Sequence, residues 1–262
     1  GSQFAEVTTN RQSRNIIVDS GDDLFMRSRN TAFNISALRP LNRHYQFFDG
    51  NSDVDFIPKL LEIANDSTLA NSGSAGTFQV GETIKGYSNN QEIITFRVAK
   101  SNHKEGAFNN PSQTYVKNPY DSSQNLQPEY TSTSKILNVD VISLSTEAQG
   151  LYSGYVTTGT KLVGQTSGAV AYVKDLKLIS DEYGGLQGSF FLRDPNADPQ
   201  PSVVIRTGRK TYRVTSSSTN VPQLPGSKLI SSAQTEYEST GTFEVRQVET
   251  TVTTNTTVTT IR

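Results

Sequence analysis

The feature that most constrains this chain is a period of two. Apolar and polar residues alternate in short runs, and glycine-rich breaks separate them. Phe33, Ile35 and Ala37 alternate with polar neighbours, as do Ile94, Phe96 and Val98, and then Leu137, Val139 and Val141. Tyr212 and Val214 do the same between Thr211, Arg213 and Thr215. Successive strand residues face opposite sides, so each run reads as a half-buried strand. The stretches 71–76, 183–188 and 222–226 supply the turns. Short strands between turns predict an all-β fold with little or no helix, organised as an Ig/fibronectin-like sandwich with a second β-rich module. The sole helix candidate is DFIPKLLEIAND, 55–66. Pro58 fits a first helical turn, but Ile57, Leu61 and Ile63 also fit one strand face, and strand is the preferred reading.

An internal repeat sharpens this. VGETIKGYSNNQEIIT (80–95) and TGTKLVGQTSGAVAYV (158–173) align without gaps at Gly81/Gly159, Ile84/Leu162 and Gly86/Gly164. Each copy reads as a strand, a tight turn and a second strand, which predicts two paired hairpins in one module. The flanks, 1–70 and 183–249, are each thin for a sandwich. They are expected to pair into one discontinuous domain with 71–182 inserted. Residues 103–134 carry Pro111, Pro119 and Pro128 and no periodicity. They read as a long loop, either a functional excursion or an arm lying on a partner. The Thr-rich 250–262 reads as a linker or an extended strand.

Composition narrows the function classes. Hydrophobic residues make up 34% and charged residues 19%, and the net charge is −1, so no basic stripe supports nucleic-acid binding. The chain has no cysteine, which removes disulfides and thiolate chemistry. No apolar run approaches the ~20 residues that insertion in a membrane requires. Gly1-Ser2 reads as an expression scar, and the chain as a piece of something longer.

Catalytic motifs are not apparent, and no cofactor is expected. The histidines are His44 and His103; His44 reads as a strand-edge residue. The carboxylate groupings Asp22-Asp23, Asp181-Glu182 and Glu236/Glu238 are candidates for a glycosidase pair, which needs about 5–9 Å across a cleft. Solvated turn residues are the preferred reading. In HYQFFDGNSDVDF (44–56), Asp49, Asn51, Asp53 and Asp55 fall at alternate positions, as in a calcium loop. Val54 stands where an EF-hand needs glycine, and Leu60 where it needs glutamate. A looser Ca²⁺ loop stays open beside the plainer hairpin in which Asp49-Gly50 is the turn. LRPLNRHY (38–45) suggests a tyrosine corner built on Leu38, Pro40 and Tyr45, beside the alternative of a simple proline turn. Of Phe47 and Phe48, one ring should face outward and need cover from the inserted module or another subunit.

FMRSRNTAFNISALRPLNRHYQFFDG (25–50), the hairpin TGTKLVGQTSGAVAYV, RTGRKTYRVTSSSTN (206–220) and ISSAQTEYESTGTFEVRQ (230–247) together resemble segments of virion structural proteins of T4-like marine and cyanobacterial tailed phages. The resemblance implies a non-enzymatic tail fibre-like or baseplate-associated component located in the virion. It implies assembly with other tail proteins and as homo-oligomers, trimers among them. The alternative is a receptor- or glycan-binding adhesin module of the tail that meets a host surface receptor. Its contacts would be Tyr115, Tyr120 and Tyr130, expected to stand exposed in the 103–134 loop, or else to anchor that loop.

Overall fold

The computed structural model describes residues 6–9, 12–13, 29–146, 151–193, 208–227, 229–239, 244–245, 250–254 and 257–261. The fold is all-β. In chain order, the first part holds β1 (Glu6–Thr9), β2 (Gln12–Ser13), β3 (Arg29–Ser36) and β4 (Arg43–Phe48). The middle holds β5 (Asp55–Pro58), β6 (Leu60–Ala64), β7 (Thr83–Ser88), β8 (Gln91–Arg97), β9 (His103–Ala107), β10 (Asn110–Thr114), β11 (Lys117–Asn118), β12 (Asp121–Asn125) and β13 (Ile136–Asn138). It continues through one helical turn, α1 (Ser143–Thr146), to β14 (Ser153–Gly154), β15 (Lys161–Gly164) and β16 (Val170–Asp175). The last part holds β17 (Leu178–Ile179), β18 (Leu186–Leu192), β19 (Gly208–Thr215), β20 (Ser232–Ser239), β21 (Glu244–Val245), β22 (Thr250–Thr254) and β23 (Thr257–Ile261).

The chain divides into an outer unit, Gly1–Asp55 with Leu178–Arg262, and an inserted unit, Phe56–Lys177. The boundary lies earlier than the expected residue 71. The cause is β6, which pairs with β13 and β16 of the inserted unit. The helix candidate at 55–66 is the two strands β5 and β6.

The outer unit is a β-sandwich. One sheet has β1, β3 and β18 side by side; the other runs β17-β4-β19-β20-β22-β23. The Thr-rich tail is therefore strand rather than linker, since β22 pairs with β20 and β23 with β22. Alternation sends Phe33 and Phe190 inward from the first sheet, and Phe48 and Tyr212 inward from the second. All four are fully buried. Phe190 and Tyr212 have ring centroids 4.7 Å apart, and Phe48 and Phe190 5.3 Å, in tilted contacts. The Tyr212 hydroxyl donates to Gln46 Oε1 at 3.0 Å, and Gln46 Nε2 donates to the Val54 carbonyl at 2.8 Å. Both polar groups are thereby satisfied inside the core. Phe47 is buried as well, at 6% exposure, so neither ring of the pair is left to another subunit.

The inserted unit is one continuous ladder, β13-β6-β16-β15-β7-β8-β14. Its two halves are the sequence repeats. Hairpins β7–β8 and β15–β16 meet through β7 and β15, antiparallel, with Ile84 opposite Gly164, Lys85 opposite Val163, and Gly86 opposite Leu162. Because residue 84 corresponds to 162, 85 to 163 and 86 to 164, this register is that of a local two-fold through the Lys85–Val163 pair. The turns agree in detail. Gly81 and Gly159 have φ of 86° and 88°, a region open to glycine at little steric cost. Gln79 N–H is capped by Glu82 Oε2 at 2.6 Å, and Thr157 N–H by Thr160 Oγ1 at 2.9 Å. The far end of the ladder returns to its start: Ala99 N–H donates to the Asn138 carbonyl at 3.0 Å, and Asp140 N–H to that of Arg97 at 3.0 Å. With the Val98–Val139 bridge, these bonds close β13-β6-β16-β15-β7-β8 on itself.

Candidate binding groove and buried polar cluster

Residues 103–134 are not a structureless loop. They form two ribbons, β9–β10 and β11–β12. Most positions on β10 and β12 are exposed, so neither strand needs an apolar face, and the sequence shows no alternation. Three tyrosines hold the ribbons down. Tyr130 is buried; its hydroxyl donates to the Ala99 carbonyl at 2.6 Å and accepts the Asn138 N–H at 3.1 Å. Burial pushes its phenol far above the usual tyrosine range. Tyr115 is buried against Leu60 and Ile136, with Tyr120 and Leu126 packed on the same cluster. The Tyr120 hydroxyl lies 2.8 Å from the Leu60 carbonyl oxygen and 3.0 Å from that of Lys177. The expectation of exposed rings is thus corrected for Tyr115 and Tyr130, and all three act as anchors.

Between the second ribbon and residues 129–136 lies a groove of about 200 Å³, lined by Asn118, Gln124, Gln127, Glu129, Thr131 and Lys135 among others. It is small beside drug-sized pockets of roughly 300–1,000 Å³. Its lining is rich in amides and hydroxyls, with one carboxylate and one ammonium. Asn118 is 4% exposed. Its Oδ1 accepts the Tyr120 N–H at 2.9 Å, and its Nδ2 has no acceptor among the described residues.

A second constellation is buried where the ladder closes. Lys59 Nζ donates to Asn138 Oδ1 at 2.8 Å and to the Val139 carbonyl at 2.9 Å. Asn138 Nδ2 donates to the carbonyls of His103 at 2.7 Å and Ser101 at 3.1 Å. Burial lowers Lys59 from 10.5 to about 7, against the opposing pull of Asp140. Asp140 itself is held by Arg97, with Nη2 at 2.6 Å and Nε at 2.9 Å from Oδ2. His103 is lowered chiefly by burial, then by Lys59. Lysine is so seldom buried that no reading of the sequence singled Lys59 out.

The remaining sequence candidates disperse. Asp49 and Gly50, at φ of 50° and 82°, make a two-residue turn flanked by Phe48–Asn51 hydrogen bonds of 2.9 Å in both directions. Positive φ at both central residues is what such a hairpin turn requires. Asp49 reaches Lys210 at 3.4 Å, while Asp55 pairs with Arg193 at 2.5 Å. Asp49, Asn51, Asp53 and Asp55 therefore do not converge, and the loose calcium loop is corrected. Among the described residues no cluster of three or more metal-ligating side chains occurs. The tyrosine corner is corrected too. Among the described residues the Tyr45 hydroxyl makes no hydrogen bond, and its ring lies 4.7 Å beneath the Arg43 guanidinium carbon. Leu38 is buried while Pro40 is exposed. The corner is held by Leu38 N–H to the Gly184 carbonyl at 2.9 Å and Leu41 N–H to that of Asp181 at 3.1 Å. It is held further by His44, whose Nδ1 lies 2.8 Å from the Asn42 carbonyl and Nε2 3.1 Å from Ser231 Oγ. His44 is an interior residue, lowered by burial to about 4. Asp181 Oδ1 caps the N–H groups of Tyr183 at 2.8 Å and Gly185 at 2.9 Å, and Glu236 pairs with Arg209. Asp22-Asp23 and the Glu238 side chain lie outside the described residues.

Comparison with known protein families, curated proteins and solved structures finds no match. Among the described residues no helix is long and apolar enough to cross a membrane.

Proposed function

We propose that this chain is an assembly module of a tailed-phage virion, fibre- or baseplate-like, which works through protein–protein contacts and performs no catalysis. The supporting observation is how the excursion is built. Two polar ribbons stand on a closed ladder, their strands mostly exposed and their feet fixed by Tyr115, Tyr120 and Tyr130. Among the described residues β9–β10 and β11–β12 are two-stranded, and the mostly exposed β10 and β12 are the edges at which a partner's strand would be added. Among the described residues His44, His103, Asp181 and Glu236 make contacts that serve local structure. Segments 25–50, 158–173, 206–220 and 230–247, which carry the phage resemblance, hold strands of both units: β3, β4, β19 and β20 of the outer one and β15 and β16 of the inserted one. Mass spectrometry of phage particles purified from the encoding host is the test. Peptides of this chain at stoichiometric level are the expected result, and their absence from intact particles overturns the proposal.

One observation favours the second reading, a receptor- or glycan-binding module. Asn118, whose Nδ2 has no acceptor among the described residues, lines a groove whose amides and hydroxyls match the donors and acceptors of a neutral polyol. A glycan array read with wild type and Asn118→Ala separates the two. Signal lost in the variant supports glycan binding, and no signal from wild type rejects it.

A further inference from the structure

Lys59 is a lysine sealed in the protein: it is 2% exposed and forms no direct ion pair among the described residues. An ammonium has three N–H donors, and this one meets two acceptors, Asn138 Oδ1 and the Val139 carbonyl. Two acceptors match the two N–H groups of a neutral amine and leave its lone pair unassigned. The site also fixes the partner. Asn138 is 0% exposed, and both hydrogens of its amide are committed to the His103 and Ser101 carbonyls. Leu60 lies opposite Asn138 in the β6–β13 register, and Val139 N–H binds the Lys59 carbonyl at 2.8 Å. The two backbones that carry the groups are therefore pinned together.

We infer that Lys59 and Asn138 are a self-condensing pair, which joins the two strands by an isopeptide bond between the lysine amine and the asparagine side chain. In the step, the Lys59 Nζ lone pair attacks Asn138 Cγ. The Nζ–Cγ bond forms, the Cγ–Nδ2 bond breaks, one amine hydrogen passes to Nδ2, and ammonia leaves. One amide replaces another, so no oxidant, cofactor or activated donor is needed. Three features favour it. Two groups held in contact replace a bimolecular encounter. A desolvated amine, lowered to about 7, is available as the free base at neutral pH. Water is excluded, so hydrolysis of Asn138 to aspartate does not compete. His103, 5% exposed with Nδ1 unpartnered, is joined to the cluster through its backbone carbonyl, which accepts from Asn138 Nδ2. The inference is independent of the virion reading.

Intact mass of the full chain is the test, before and after incubation at mildly alkaline pH. The expected mass is lower than the sequence mass by one ammonia. A tryptic digest should then yield a branched peptide joining the segments that carry Lys59 and Asn138. Lys59→Met should restore the mass of an unlinked chain and abolish the branched peptide. A wild-type chain that keeps its full mass and yields only linear peptides overturns the inference, whether or not the variant folds. A loss of ammonia with no branched peptide overturns it equally.

Discussion

The aromatic centre of the outer sandwich and the polar junctions of the inserted ladder hold their strands together by different means. The outer unit packs the rings of Phe33, Phe48, Phe190 and Tyr212 against one another, and neutral side chains such as Gln46 and Asn30 pair the polar groups buried beside them. The inserted unit has Ile84, Ile94, Phe96, Leu162 and Val173 in its core, but a hydrogen-bonded polar cluster lies where its ladder closes. It also spends a buried carboxylate on joining its two repeats. Glu82, 5% exposed, accepts from Gln79 N–H at 2.6 Å through Oε2, and through Oε1 from Ser167 N–H and Oγ at 3.1 Å and Thr166 N–H at 3.2 Å. Apolar packing tolerates many substitutes of similar volume. A buried polar junction tolerates few, because each lost partner leaves an unsatisfied group. The ring cluster of the outer unit should therefore respond to volume, and the Glu82 junction of the inserted unit to hydrogen-bond chemistry.

That contrast can be broken experimentally. The largest effect is expected at Tyr212, which touches three rings. Tyr212→Ala should cost about 3–5 kcal/mol in denaturant unfolding. Tyr212→Phe, which loses only the bond to Gln46, should cost about 1 kcal/mol; equal costs would mean that the core is not held by ring packing. Glu82→Ala should cost roughly 2–4 kcal/mol although it removes little apolar volume, because four hydrogen bonds to a carboxylate are lost. Hydrogen exchange should localise that loss to 79–82 and 164–167, and uniform loosening of the chain would count against it.

The two units should also differ in their response to pH. His44 in the outer unit falls from 6.5 to about 4 on folding, so the unfolded state binds the proton more readily. Its stabilising effect is complete above pH 6.5 and is lost as pH falls toward 4, by roughly 3 kcal/mol. His44→Gln should flatten that slope. Lys59 in the inserted unit falls from 10.5 to about 7. Protons are again bound more readily by the unfolded chain, so the stability of a chain in which Lys59 is unlinked should rise as pH climbs from 7 to 10.5. A chain linked through Lys59 would lack this rise. The smallest effect is expected at the half-exposed Lys210–Asp49 pair. Lys210→Gln should change stability by no more than about 0.5 kcal/mol, and added salt should erase the difference.

What the sequence revealed divides along the same line. The alternating strands of both units, the Asp49-Gly50 turn and the two hairpin repeats were legible because each is written in local pattern. The ribbons at 103–134 were not: a two-stranded ribbon exposed on both faces has no apolar period to read. Tyr115 and Tyr130, set among polar residues, looked exposed for the same reason. The edge of the inserted unit was misplaced because β6 suits either neighbour by pattern, and its pairing with β13 and β16 is long-range. Lys59 was invisible because its burial depends on Asn138, far along the chain, and on carbonyls that no side-chain pattern records.

The central claim is that 56–177 is a scaffold complete in itself, closed where residues 97–99 meet 138–140. An NMR spectrum of the isolated 56–177 fragment tests this directly. Dispersed amide resonances and a cross-strand contact between Val98 and Val139 are expected. A collapsed spectrum, or a folded fragment without that contact, would contradict it.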